Sequence, residues 1–366
     1  MDNKTADIIA AGESRARSLD EESLAWLLSL EDSSDGENAL FEAAYRVKRA
    51  VIGKKVSIRA LIEAGNACAK DCRYCGIRKS NARIERYTMS AEEIYLAAMA
   101  AKEAGYASIV VQAGEIESPA HTARIEEALK AVSALDMGVT LSLGEQEEEV
   151  YRRWREAGAT RYLLRIETSD PRLYARLHPA DHSWQRRAGC LGILSRLGYQ
   201  VGTGVMCALP GQDAHSLARD ILFYAKADAD MIGMGPYIPH RDAPVPEAPA
   251  FSPDARLHLA LRMIAATRLM LHDVNIASTT ALEALSPDGR ERGVLAGANV
   301  IMPNITDSAS SSKYRLYDGK PFSKGAAGAA ESLKCIARRF ARLGEKVLFN
   351  ERGDSLHYAK KSGSNQ

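Results

Sequence analysis

Three cysteines lie within one stretch of eight residues, at Cys68, Cys72 and Cys75. Their C-x3-C-x2-C spacing puts three thiolates on one short loop, which can hold three corners of a cubane iron–sulfur cluster and leaves the fourth iron without a protein ligand. An iron with an open coordination position is a site for a substrate or cofactor. The motif therefore predicts an open iron–sulfur centre.

Structural zinc is the alternative metal for this loop. Such a site needs a fourth ligand and more usually combines two C-x2-C pairs, or cysteine with histidine. The remaining cysteines, Cys190, Cys207 and Cys335, are scattered, and the first two stand in apolar stretches typical of buried structural thiols. A disulfide is disfavoured, because six cysteines in 366 residues are sparse and three on one loop leave one over.

Polar side chains also collect where apolar, β-prone runs end. Any one of them alone is better explained as a surface loop or a satisfied polar group, but all fall at the carboxyl ends of predicted strands, where an α/β barrel places its chemistry. The strand-end groups are Gln112, Gly114 and Glu115, then Thr140, Ser142 and Glu145, then Arg161, Arg165 and Glu167.

Arg165 and Glu167 stand two residues apart on one predicted strand, so their side chains are expected on the same face. If that face is the barrel interior, each charge needs a partner or a charged ligand. A zwitterionic amino-acid group would supply both partners. Gly114 has a separate use, because a residue without a side chain lets backbone amides approach a ligand closely.

The elements that must position these residues follow a βα rhythm. Short runs rich in Val, Ile and Leu alternate with amphipathic segments of helical length, which predicts an α/β fold with a (β/α)8 TIM-type barrel; an open doubly wound sheet is the alternative. The eight candidate strands are 56–62, 108–112, 139–143, 162–167, 201–209, 231–237, 275–280 and 299–302.

Helices are predicted between these strands. The clearest runs from Ser90 to Ala104, because Ser90 and Glu93 form a capping-box pattern and Gly105 follows the last turn. The others are predicted at about 125–135, 147–157, 185–197 and 214–227.

The chain divides into a helical lead-in (1–50), the barrel (51–309) and a C-terminal segment (310–366). In the C-terminal segment we expect loops at the serine run 310–312 and the Gly/Ala stretch 325–329, a helix over 331–343 and a disordered polar tail over 360–366.

Composition excludes several classes of function. Lys and Arg total 48 and Asp and Glu 47, so the net charge of +1 gives no field that would attract nucleic acid or an anionic membrane. The charged N-terminal stretch does not fit a signal peptide, and no 18 apolar residues run together. We therefore expect a cytoplasmic protein with no nucleic-acid or membrane partner.

The cysteine motif, with Tyr74 before the last cysteine and a predicted strand before the first, resembles the radical S-adenosylmethionine (SAM) superfamily. Over about residues 56–344 the chain more narrowly resembles the HydE family of [FeFe]-hydrogenase maturases, in the branch of biotin synthase and methylornithine synthase. The segments that carry this likeness are RALIEAGNACAKDCRYCGIR, IVVQAGE, VTLSLGE, RYLLRIET, GVMCALPGQ, DMIGMGPYIPH, IASTTA, GANVIMPN and YRLYDGK.

The resemblance implies an enzyme with one [4Fe-4S] cluster and SAM, in which an electron from the cluster cleaves SAM to a 5′-deoxyadenosyl radical. It implies an organometallic substrate, a cysteine-bound iron precursor carrying CO and cyanide, supplied by a partner maturase, and an electron donor such as flavodoxin or ferredoxin. The alternatives are a carbon-skeleton mutase like methylornithine synthase and a non-catalytic iron–sulfur scaffold.

The resemblance also assigns roles to residues. Cys68, Cys72 and Cys75 would bind the cluster, while Tyr74, Gln112, Gly114, Glu115, Ser142, Glu167 and Arg187 would bind SAM, with Glu167 at its ribose or amino group and Arg187 at its carboxylate. The substrate would meet Thr140, Arg161, Arg165, Met231, Thr279, Thr280 and Tyr314. For Met231 a core position is an equally good interpretation, and of Thr279 and Thr280 only one is expected to face inward.

The chain departs from the family pattern at three places. The family can carry a second cluster near the end of the barrel, but here that stretch keeps only Cys335, so we predict that the second cluster is absent. Ile166 stands where the family often has His, and His178 where it often has Arg.

Overall fold

In the computed structural model, the chain is described over residues 1–14, 19–244, 251–321, 323, 325 and 328–363. The strands are β1 (Lys55–Ile58), β2 (Ala60–Gly65), β3 (Ser108–Ala113), β4 (Gly138–Ser142), β5 (Arg161–Leu163), β6 (Gln200–Thr203), β7 (Met206–Cys207), β8 (Met231–Ile232), β9 (Gly235–Pro236), β10 (Asn275–Ile276), β11 (Val300–Ile301) and β12 (Lys346–Leu348).

Helices surround and extend this set of strands. They are α1 (Asn3–Ser14), α2 (Glu21–Leu28), α3 (Asp35–Val51), α4 (Ala91–Glu103), α5 (Pro119–Ser133), α6 (Glu148–Glu156), α7 (Pro171–Leu177), α8 (Trp184–Arg196), α9 (Ala214–Lys226), α10 (Pro253–Met270), α11 (Thr280–Leu285), α12 (Gly289–Leu295), α13 (Ser308–Lys313), α14 (Ala329–Ala341) and α15 (Leu356–Ser362).

The central sheet is parallel and closes on itself. Strands β2, β3, β4, β5, β6, β8 and β10 pair in that order. Strand β1 directly precedes β2 in the chain and pairs with β11. A bridge between Ala277 and Val300 joins β11 to the end of β10, which closes the barrel. All eight predicted runs therefore supply barrel strands, and the prediction of a TIM-type barrel is confirmed. The alternative of an open sheet is wrong.

Two predicted strands are shorter than expected. The runs 201–209 and 231–237 each break in two, and the outer halves pair as a separate two-stranded sheet, β7 with β9. The break comes at Gly204, where a Cβ atom would lie 2.2 Å from the carbonyl oxygen of Gly233. The two backbones thus approach at a distance that only glycine permits.

The clearest helix prediction is confirmed in α4. Ser90 Oγ accepts from the Glu93 amide at 3.1 Å, the Glu93 carboxylate accepts from the Ser90 amide at 2.6 Å, and the helix gives way at Gly105, which has a φ of 98°. Helix α5 starts six residues before the predicted position, because Ser118 caps it and Pro119 occupies its first turn.

Helix α10 was missed by the sequence patterns. Of its 18 residues, the 14 from Arg256 to Leu269 are buried, between the N-terminal helices and the barrel. A helix that is covered on all sides lacks the one-sided apolar stripe on which prediction depends. No helix among the described residues combines the length and apolar character that a membrane crossing requires.

The C-terminal segment differs most from expectation. The serine run 310–312 lies in α13, capped by Asp307, so the loop predicted there is wrong. Residues 360–362 belong to α15, so the predicted disorder is wrong for them; Lys360 binds Asp273 at 2.6 Å and Lys361 binds Asp230 at 2.8 Å. Helix α14 lies close to the predicted 331–343. Parts of two predictions, residues 326–327 and 364–366, lie outside the described residues.

A buried ion pair fastens the C-terminal segment to the lead-in helices. Lys48 of α3 binds Glu345, and both side chains are fully buried. Tyr45 donates a further hydrogen bond to Glu345 at 2.7 Å. Glu345 directly precedes β12, which pairs with β1, so this contact holds the first barrel strand between the two ends of the chain.

Removing one partner of this pair should be costly. Glu345→Ala leaves the Lys48 ammonium buried without a counter-charge, so we expect the free energy of unfolding to fall by about 3–5 kcal/mol in a denaturant titration of the apoprotein. The control is Glu42→Ala on the same helix, whose exposed pair with Arg46 should be worth about 0.5 kcal/mol or less. A loss below about 1 kcal/mol for Glu345→Ala would contradict the assigned role.

Candidate active site

A cavity of about 300 Å³ opens at the carboxyl ends of the barrel strands. This volume lies within the range of small-molecule sites. The cavity brings together most of the residues selected from the sequence: Cys68, Cys72, Tyr74, Cys75, Gln112, Gly114, Glu115, Ser142, Arg165, Glu167, Arg187, Thr279, Thr280 and Tyr314.

The three cysteines lie on the loop between β2 and α4. This loop has little regular structure, so its carbonyl groups need other partners. Arg86 supplies them, because its guanidinium donates to the backbone oxygens of Asn66, Ile77 and Arg78 at 2.6–2.7 Å. One arginine therefore holds the two ends of the cysteine loop together.

The residues that follow β3 pack against the cysteine loop. The Ala69 amide donates to the Glu115 carbonyl at 2.8 Å, and the Glu115 amide points at the sulfur of Cys68 at 3.3 Å. A Cβ atom on Gly114 would lie 2.1 Å from the Ala67 carbonyl oxygen. The backbone here can pass under the loop only because position 114 is glycine.

The three thiols are free and partly buried. Burial raises the pKa of each one above its ordinary value, that of Cys75 to about 12, and at Cys72 and Cys75 neighbouring thiols add to the shift. Thiols of this kind lose their protons when a metal takes up the negative charge. Three such donors on one loop, open to a cavity, fit an iron–sulfur cluster with an open iron.

Four charges form an arc beside the cysteine loop. Arg187 Nη1 lies 3.0 Å from Glu145 Oε1 and 3.3 Å from Glu115 Oε2, and Lys70 Nζ lies 3.2 Å from Glu115 Oε1. Yet one oxygen each of Glu115 and Glu145 is buried without a hydrogen bond. The arc can therefore accept a ligand that carries both an ammonium and a carboxylate, which fits the methionyl end of SAM.

Arg165 and Glu167 both face the cavity, with Nη2 and Oε2 3.0 Å apart. Strand alternation is not the cause, because β5 ends at Leu163. Glu167 instead has a left-handed φ of 66°, fixed by its amide donating to Gly204 at 3.1 Å. The pair does not meet in hydrogen-bond geometry, so both groups keep unused capacity for a ligand.

His178 positions Tyr74. Burial lowers the pKa of His178 to about 3, so the ring is neutral and carries one N–H. With Nδ1 donating to the Tyr174 carbonyl at 2.8 Å, Nε2 is left to accept from the Tyr74 hydroxyl at 3.2 Å. The ring of Tyr74 is thereby fixed at the cavity wall.

The other departure from the family, Ile166, is buried in the hydrophobic core.

Three residues expected in this cavity lie elsewhere. Thr140 and Met231 line a second cavity of about 20 Å³, which shares Leu163 with the first. The prediction for Arg161 is wrong, because Arg161 begins β5 and so lies at the amino end of the barrel, paired with Asp354.

Thr279 and Thr280 both line the main cavity, although only one was expected to, because β10 ends at Ile276 and Thr279 directly precedes the first residue of α11.

The sequence patterns assign no role to four charged residues of the cavity wall. They are Glu63, Lys70, Glu145 and Lys320. Glu63 carried a signal, since it is a carboxylate inside the otherwise apolar run of β2. Glu145 was noticed as a strand-end group without a role. Lys70 and Lys320 lie on irregular segments, where no periodic pattern marks a residue as buried.

Comparisons with known proteins agree with this geometry. Residues 62–223 match the radical SAM superfamily. The chain is 43% identical over 322 residues to the [FeFe] hydrogenase maturase subunit HydE of Thermotoga maritima, covering 87% of this chain and 89% of that protein. It is 26% identical over 304 residues to a 3-methylornithine synthase of Methanosarcina acetivorans, covering 82% and 83%. The solved structure of methylornithine synthase (PylB) shares the fold, with a TM-score of 0.79, 22% identity and coverage of 99% and 100%.

The close approach at Gly114 gives a direct test of the cysteine loop. Gly114→Ala should push the loop away and cut the iron bound after anaerobic reconstitution well below the expected four or so per chain, measured by iron analysis and visible absorbance. Gly189→Ala, where an added Cβ meets nothing within 4 Å, should keep the full iron content.

Cys335→Ala serves as a second control, because its exposed thiol lies on α14 and does not line the cavity. It too should bind about four irons. Full iron in Gly114→Ala, or about eight irons in the wild type, would contradict the single-cluster interpretation.

Proposed function

Because the chain belongs to the HydE family of radical SAM enzymes, which cleave SAM reductively, we propose that it acts on a cysteine-bound iron precursor during assembly of the [FeFe]-hydrogenase active site. The observation that carries this proposal is the meeting of three partly buried thiols, an arc of paired charges and a set of unsatisfied donors in one cavity. The precursor would come from a partner maturase, and the electron from a donor such as flavodoxin or ferredoxin.

We assign one [4Fe-4S] cluster to Cys68, Cys72 and Cys75. When bound, the cluster supplies a low-potential electron and SAM supplies a 5′-deoxyadenosyl radical. The protein holds the reactants in a fixed orientation and keeps water out. The raised pKa of the thiols supports this assignment, since these sulfurs carry charge favourably only with metal present.

For SAM we propose the charged arc and its neighbours. Arg187 would take the carboxylate, and Glu115 Oε1 and Glu145 Oε2, which form ion pairs but no hydrogen bond of ordinary geometry, would accept hydrogen bonds from the amino group. Glu167 would bind the ribose or the amino group, and Tyr74 would face the adenine. Gln112 and Ser142 stand opposite each other in the β3–β4 register, so they can meet the methionyl part from one side.

The proposed substrate carries a carboxylate and anionic metal ligands, which call for fixed cationic and hydroxyl donors. Arg165 keeps Nε and Nη2 without hydrogen bonds, and the hydroxyl of Thr279 has no partner among the described residues. The planar fork of an arginine can donate two parallel hydrogen bonds, and we assign this fork to the anionic metal ligands of the precursor. Thr280 and Tyr314 complete this part of the wall.

The first test separates an enzyme from a scaffold. Glu167→Gln and Arg187→Ala should leave the absorbance of the reconstituted cluster intact and reduce 5′-deoxyadenosine formation about 100-fold, because misplacing a reactant by about 1 Å costs that much. Arg196→Ala is the matched control, since this arginine lies on the same helix α8 as Arg187, pairs at the surface with Glu148 at 3.2 Å and does not line the cavity. Unchanged product formation in both cavity variants would favour the scaffold.

The second test separates the maturase from a carbon-skeleton mutase, which the likeness to 3-methylornithine synthase makes the alternative. The holoenzyme receives SAM and reductant with either the cysteine-bound iron precursor or L-lysine, and products are identified by mass. We expect adenosyl transfer to the sulfur compound and no change of lysine. A branched isomer of lysine would overturn the maturase proposal.

A further inference from the structure

A second pair of opposite charges lies in the same cavity, apart from the arc proposed for SAM. Glu63 of β2 and Lys320 of the C-terminal segment line the cavity with their charged atoms 2.5 Å apart. Glu63 stands opposite Gln112 in the β2–β3 register, so both side chains point into the barrel at one level. No described ion pair or hydrogen bond joins this pair to Arg187, Lys70, Glu115 or Glu145.

Both side chains are buried yet poorly satisfied. Glu63 is 1% exposed and Lys320 is 8% exposed, and neither carboxylate oxygen of Glu63 nor the ammonium of Lys320 forms a hydrogen bond of ordinary geometry. A lysine offers three donors and a carboxylate about four acceptor sites, so most of their capacity is unused. Buried polar groups in this condition call for a further partner.

The surrounding groups do not supply that partner. Tyr87 donates its hydroxyl to the backbone carbonyl of Glu63 at 2.7 Å, and Lys320 stands over the ring of Tyr314 at 5.3 Å. Burial raises the pKa of the Glu63 carboxyl by more than the charge of Lys320 and the hydrogen-bonding groups of Lys320, Asn304 and Ser311 lower it, so these neighbours compensate the buried charge only in part. The pair thus lines the cavity with hydrogen-bonding capacity that the protein does not use.

We propose that Glu63 and Lys320 form the subsite for the α-ammonium and α-carboxylate groups of an amino-acid part of the substrate. A zwitterion can bind without leaving either charge uncompensated, because its carboxylate can pair with Lys320 while its ammonium pairs with Glu63. This assignment rests on the proposed function, since a cysteine-bound precursor has one such end. The cavity then holds two zwitterion subsites, one for SAM and one for the substrate.

The test uses a probe that cannot bind iron through a thiolate. S-methyl-L-cysteine carries both charges, 2-(methylthio)ethylamine lacks the carboxylate, and 3-(methylthio)propionate lacks the ammonium. Their dissociation constants are measured by anaerobic calorimetry on the holoenzyme saturated with SAM. The wild type should bind the zwitterion at least about tenfold more tightly than either analogue, the scale of one charge-assisted contact.

The variants locate that preference. Lys320→Gln should abolish the advantage over the amine, and Glu63→Gln the advantage over the acid. Because each single change leaves a buried charge unpaired, the double variant Glu63→Gln/Lys320→Gln is the version expected to fold if a single one does not, and it should bind all three probes equally. Lys313→Gln, an exposed-rim lysine paired with Glu85, is the control and should keep the wild-type preference.

Equal or absent binding of the probes by the wild type would overturn this subsite, as would an unchanged preference in the variants. The proposed function fails by a different result, namely no 5′-deoxyadenosine or no adenosyl transfer by the wild type. The two failures are therefore distinguishable.

Discussion

The requirement that every charge in the barrel mouth has a partner governs the arrangement of this site. These side chains are largely buried, so an isolated carboxylate or guanidinium among them would cost free energy. Arg187 meets this requirement by standing between Glu115 and Glu145, and Glu63 by meeting Lys320. Both sets satisfy charge without using all their hydrogen-bonding capacity, which leaves them able to exchange partners with a zwitterionic ligand.

The backbone of the barrel positions these side chains. Parallel strands carry Glu63, Gln112 and Ser142 to one level through their register, and glycine at 114 and 204 lets backbone segments touch where the loops cross. Arg86 satisfies the carbonyls of the cysteine loop, so three thiols with raised pKa can face the cavity on an ordered loop. Strand register and backbone packing therefore do as much as the side chains to define the site.

Local patterns were sufficient for the barrel and for the cysteine motif. Strand runs, the capping box at Ser90 and the C-x3-C-x2-C spacing are all written in short stretches of sequence, and each was found there. Contacts between distant segments were not. Lys320 meets Glu63 across more than 250 residues, and Arg161 turns to Asp354 because β5 begins, rather than ends, at that position. The largely buried α10 and the ion-paired α15 are absent from the sequence-based prediction for the same reason, since tertiary contacts stabilise them.

We propose that the cysteine loop leaves one iron open and that the charged arc brings the amino-acid end of SAM to it. Pulsed electron–nuclear double resonance on the reduced holoenzyme, with SAM labelled with ¹⁵N at its amino group, tests this claim most directly. We predict a ¹⁵N coupling to the cluster that appears only when SAM is bound. A cluster signal without ¹⁵N coupling, in a sample shown by calorimetry to be saturated with SAM, would contradict it.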